Sequence, residues 1–79
     1  MSIATKLRTL RFHNGEMTQE ALANKVGVTR QTIIALESGR YAPSLELAMR
    51  LADAFGTKVD EVFYWKDGVP PPFKKKGTP

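Results

Sequence analysis

One segment near the middle of the chain, Thr29-Arg30-Gln31-Thr32-Ile33-Ile34-Ala35, carries side chains with the chemistry to read nucleic-acid bases. A guanidinium fork matches the O6 and N7 acceptors of guanine, a glutamine amide matches N6 and N7 of adenine, and small apolar groups meet the thymine methyl. Other chemistry is poorly provided for. Cysteine is absent, which removes disulfides and thiolate metal sites. The single histidine, His13, falls at the end of a predicted helix, where the dipole favours it. It has no carboxylate cluster to complete a metal site and no acid–base partner. The sequence therefore predicts no enzyme, no metal and no cofactor.

These side chains need a helix to present them, and the spacing supplies one. Val28 precedes Thr29, a good N-cap, and Ile33 takes the fourth helical position, where it staples to Val28. The same device stands one helix earlier: Met17, the cap Thr18, and Leu22 at the stapling position. Gly27 suits a left-handed helix end, and with Val28 it leaves so short a connection that the two helices must meet at a sharp angle. With Ile33 at 0° and ~100° per residue, Leu36 and Thr29 fall within about 60° of it, on the inner side. Gln31 and Ala35 lie about 160° away, with Arg30 and Ile34 flanking them on opposite edges. Glu37, about 40° from Ile33, points inward.

Further elements frame this pair. Ile3, Leu7 and Leu10 share a face and predict a first helix over residues 2–13, ended by Asn14-Gly15, with Phe12 either exposed or covered from elsewhere. Ser44 caps a fourth helix in which Leu47, Leu51 and Phe55 recur every four residues, and Gly56 closes it. A short fifth helix is predicted over Val59 to Phe63. The three prolines of VPPPFKKKGTP exclude a helix there, so the chain divides into a domain over 1–67 and a Pro/Lys-rich tail over 68–79.

With 79 residues, 42% of them apolar, the chain makes one domain with a compact core. No apolar run approaches the ~18 residues of a membrane span and no signal-peptide core opens it, so a cytoplasmic location is expected. The net charge of +4 is unevenly spread. Residues 1–43 hold six Lys/Arg against three acids, and residues 44–67 hold three against five. A basic first half followed by an acidic stretch suits one-sided attraction to a polyanion.

Met17 to Ser44 resembles the helix-turn-helix of the phage Cro/C1 repressor family, also called the Xre family. The resemblance is carried by Thr18-Gln19, Leu22-Ala23, Val26-Gly27-Val28, Thr29 to Ile33, Leu36-Glu37, Gly39-Arg40 and Tyr41-x-Pro43-Ser44, and it extends from about Ile3 to Trp65. It implies an all-α, five-helix, lambda-repressor-like fold and a regulator of transcription, more often a repressor, that binds double-stranded DNA. The second helix of such a unit lies in the major groove. Arg30, Gln31, Ile34 and Ala35 are then the candidate base contacts, with Ile34 either on a thymine methyl or covering a seam. Gln19, Thr29, Thr32, Ser38, Arg40 and Tyr41 are the candidate phosphate contacts, which fix register without reading sequence. Ala42 stands where relatives often carry asparagine. The family also pairs the inward glutamate with an arginine of the first helix, here Glu37 with Arg11. This chain has one residue more than usual between that arginine and the next cap, in Gly15-Glu16-Met17.

The compact cytolysin-repressor type, similar in its Tyr-x-Pro-Ser and Phe-x-Trp segments, implies a homodimer and a short ribbon between the two chain ends. Val59, Val62, Phe63, Tyr64 and Trp65 are the candidate interface, the alternative being a lid over the chain's own core. Lys74-Lys75-Lys76 is either a basic arm on phosphate or an end without a role. An antitoxin would use the same DNA-binding unit with a toxin partner, for which Val69 to Phe73 is the one candidate docking segment. No small-molecule effector has an evident seat.

Overall fold

The computed structural model describes residues 2–72. In chain order the elements are β1 (Ile3–Thr5), α1 (Leu7–His13), α2 (Gln19–Val26), α3 (Arg30–Glu37), α4 (Leu45–Ala54), α5 (Val59–Val62) and β2 (Phe63–Trp65). The five helices and the terminal ribbon agree with the expected architecture, with changed boundaries at both ends. Residues 3–5 do not extend the first helix. They form a strand antiparallel to β2, with Ile3 opposite Trp65, Ala4 opposite Tyr64 and Thr5 opposite Phe63. Two β-branched residues within three favour this extended state. Thr5 then starts α1, because its hydroxyl accepts the Leu7 N–H at 3.1 Å and donates to the Val62 carbonyl at 3.2 Å. At the other end Phe63 leaves α5 and opens β2.

The stapled, capped helices form as their residues dictate. Thr18, Thr29 and Ser44 each accept a backbone N–H from the residue three positions on. Each such cap stabilises its helix by about 1 kcal/mol. Leu7, Leu22, Ile33, Leu51 and Val62 are the largest fully buried side chains. Met17 and Val28, the outer halves of the two staples, pack on that core, as do Leu47 and Phe55 of the four-residue repeat in α4. Phe12 is 65% exposed, which resolves the choice left by the sequence. Phe73 and Lys74–Lys76 lie outside the described residues. No described helix is long and apolar enough to cross a membrane.

Candidate nucleic-acid interface

Three residues separate α2 from α3, and each has a fixed task. Gly27 adopts φ 79° and ψ 33°, and its N–H and that of Val28 both donate to the Ala23 carbonyl. A Cβ at Gly27 would meet nothing within 4 Å, so the left-handed backbone rather than space calls for glycine. Val28 stays half-buried, and Thr29 caps α3 by accepting the Thr32 N–H at 3.3 Å.

α3 buries Ile33 and Leu36 and leaves Arg30 and Gln31 exposed. Ile34 and Ala35 are half-buried at its sides. Arg30 and Ile34 are four residues apart in one helix, hence one above the other on the same edge. This corrects the opposite-edge expectation, since four steps of the helix return nearly to the starting angle. Gln31 and Ala35 make the adjacent row by the same spacing. The outward surface of α3 is therefore two short parallel rows, each with a hydrogen-bonding side chain toward the N-terminus and an apolar one a turn further on.

The candidate phosphate contacts border these rows. The Thr29 and Thr32 hydroxyls are 3.2 Å apart. Ser38 donates its hydroxyl to the Ala35 carbonyl at 3.0 Å and accepts from Arg40 Nε at 3.1 Å, which holds the Arg40 side chain against the end of α3. Tyr41 and Ala42 are exposed in the following loop.

On the inner side of α3 lies the expected ion pair. Arg11 Nε donates to Glu37 Oε2 at 2.6 Å and Nη2 donates to Oε1 at 2.9 Å. The side chains are 14% and 9% exposed. Arg11 Nη1 also donates to the Met17 carbonyl at 2.8 Å, tying the pair to the turn before α2. The extra residue of that turn is absorbed by two consecutive left-handed residues, Gly15 at φ 74° and Glu16 at φ 56°. Gln19 joins the same cluster, its Nε2 donating to Glu37 Oε1 at 3.1 Å. Sequence reasoning missed this bond. The inward angle of Glu37 and the place of Gln19 at the first turn of α2 were its only signals.

Strands β1 and β2 with α5 build a second surface. Val62 is fully buried in the chain's own core and has no area left for a partner, so it leaves the candidate interface. Val59 and Phe63 are half-buried, while Tyr64 and Trp65 are 45% and 40% exposed. Together with Ile3, Asp60 and Gly68 these four line a groove of about 650 Å³. Ile3 enters because β1 pairs with β2, a contact that helical periodicity does not encode. Lys6 Nζ sits 5.6 Å from the Tyr64 ring centroid, a cation–π distance. Val69 is exposed, and the rest of the toxin-docking segment reaches Phe73, outside the described residues. Among the described residues no three His, Asp or Glu side chains are gathered as metal ligands.

A helix-turn-helix family profile matches residues 7–62. An HTH-type transcriptional regulator of Methanocaldococcus jannaschii is 54% identical over 56 residues, covering 71% of this chain and 82% of that protein. One from Methanothermobacter thermautotrophicus is 59% identical over 61 residues, covering 72% and 88%. The cryptic phage CTXphi transcriptional repressor RstR of Vibrio cholerae is 36% identical over 59 residues, covering 75% of this chain and 52% of RstR. The capped α2–turn–α3 unit and these relatives together place the chain in the Cro/C1-type helix-turn-helix (Xre) family of DNA-binding transcriptional regulators.

Proposed function

We propose that the chain is a sequence-specific repressor that binds a two-fold symmetric operator as a homodimer, with α3 in the major groove of each half-site. The observation that carries this reading is the outward pair Arg30 and Gln31 at the capped N-terminus of α3, backed by the apolar Ile34 and Ala35. An N-terminal fork and amide suit base reading in a helix that enters the groove by that end. Thr29 and Thr32 stand at the N-terminal end of α3, Ser38, Arg40 and Tyr41 follow its C-terminal end, and with Gln19, bonded to Glu37 at that end, they serve as phosphate contacts. A CTXphi repressor among the relatives favours repression over activation. The location that goes with this reading is the cytoplasm, where the DNA of the archaeal and bacterial relatives lies.

The groove between Ile3, Val59, Phe63 and Trp65 supports the dimer, since it is apolar, open and on the β1–β2 ribbon. One helix-turn-helix unit covers only a half-site, so symmetric pairing doubles the contacts. Selection of binding sites from random duplex DNA tests both parts. A palindrome with half-site centres about 10 bp apart is expected. An asymmetric single site rejects the dimer, and failure to enrich any motif rejects specific binding.

A further inference from the structure

We propose that Glu37 is a positioning residue for DNA binding: its ion-paired carboxylate fixes the amide of Gln19 so that this side chain meets a DNA phosphate already oriented. The inference rests on the reading of Gln19 as a phosphate contact. Glu37 ends α3, Arg11 belongs to α1 and Gln19 is the first residue of α2, so the carboxylate is the point where three helices meet. It takes three N–H groups, two from Arg11 and one from Gln19 Nε2.

The consequences follow from the chemistry of each group. Arg11 neutralises the carboxylate, so a nearly buried Glu37 stands behind the interface without repelling the DNA. Gln19 commits one of its two Nε2–H groups to Glu37, and among the described residues that nitrogen makes no second hydrogen bond. The remaining N–H is the one a phosphate oxygen can take, since the amide oxygen is an acceptor like the phosphate. A glutamine side chain has much rotamer freedom to lose on binding, and an amide anchored beforehand has already lost it. Glu37 touches no DNA in this arrangement and acts through Gln19.

A double-mutant cycle on binding to a mixed-sequence DNA duplex two turns long separates the possibilities. Arg11→Met with Glu37→Met removes the pair as a unit, strands no buried charge and leaves the net charge unchanged. In the wild type, Gln19→Ala weakens binding about tenfold, the value of one charge-assisted hydrogen bond. In the background lacking the pair, the same change costs at most about twofold, because the amide is no longer held. An equal loss in both backgrounds overturns the positioning role and leaves Gln19 as an independent contact. No loss in the wild type overturns the phosphate reading itself. A measurement on the unaltered protein guards against a background that does not fold. The two Gln19 side-chain amide protons should differ in NMR, one of them shifted and protected from exchange. Two signals like those of a free glutamine overturn the proposal.

Discussion

The α2–turn–α3 face and the β1–β2 end are both exposed, yet they are built on opposite principles. On the first, several polar groups beside Arg30 and Gln31 in the unit are committed in advance: Thr18 and Thr29 cap their helices, Ser38 holds Arg40, and Glu37 collects Arg11 and Gln19. No buried side-chain nitrogen or oxygen among the described residues lacks a partner. On the second, the ribbon leaves Tyr64 and Trp65 in an open apolar groove whose one charged lining residue among the described residues is Asp60. A prearranged polar face suits a ligand of fixed geometry such as duplex DNA. An exposed aromatic face has apolar area in water and gains by being covered. The first surface is thus set by internal hydrogen bonds, while the second leaves apolar area open to solvent.

Breaking the internal network gives the largest effect. Arg11→Met leaves the Glu37 carboxylate without its cation, and urea unfolding should register a loss of about 3 kcal/mol. A loss under about 0.5 kcal/mol would place the pair among surface ion pairs and dissolve the contrast. Trp65→Ala tests the other surface and should leave the fold intact. Its expected cost is about 2 kcal/mol in association, as for a buried aromatic hot spot, read as a shift toward single-chain mass in sedimentation equilibrium. An unchanged association would move the interface elsewhere. Arg30→Ala should cost about 1–3 kcal/mol in binding a selected site and relax preference at one base pair. A uniform weakening on all sequences would make Arg30 a phosphate contact instead.

The two surfaces also differ in how much of them the sequence discloses. The capped pair was legible from Thr18, Gly27 and Thr29, because caps and left-handed ends depend on residues only a few positions apart. Arg11 with Glu37 was legible only through the family resemblance, since 26 residues separate them. The ribbon shows the limit of periodicity. Ile3 and Leu7 share a helical stripe in sequence, yet Ile3 pairs with Trp65, and nothing local in residues 2–6 reports a partner 62 positions away. Val62 illustrates the same limit. Its apolar side chain in a terminal helix fits an interface or a core equally well, and only the folded packing assigns it to the core.

The smallest effect concerns the turn that seats the ion pair. Glu16 is the one non-glycine residue with positive φ among the described residues, and its N–H donates to the Phe12 carbonyl at 3.2 Å. That turn sets the Met17 carbonyl on Arg11 Nη1. A left-handed L-residue costs about 1–2 kcal/mol, which Glu16→Gly relieves. Glycine also gives the unfolded chain more freedom, offsetting about 0.5–1 kcal/mol of the gain. The net stabilisation should stay near 0.5 kcal/mol, a rise of roughly 2–4 °C in Tm for a domain of this size. Glu16→Val has no such relief and adds a β-branched side chain at positive φ, so its Tm should fall. If valine and glycine gave the same Tm, the turn would not be held left-handed. The extra residue before α2 would then be slack in the chain rather than part of the support behind the outward face of α3.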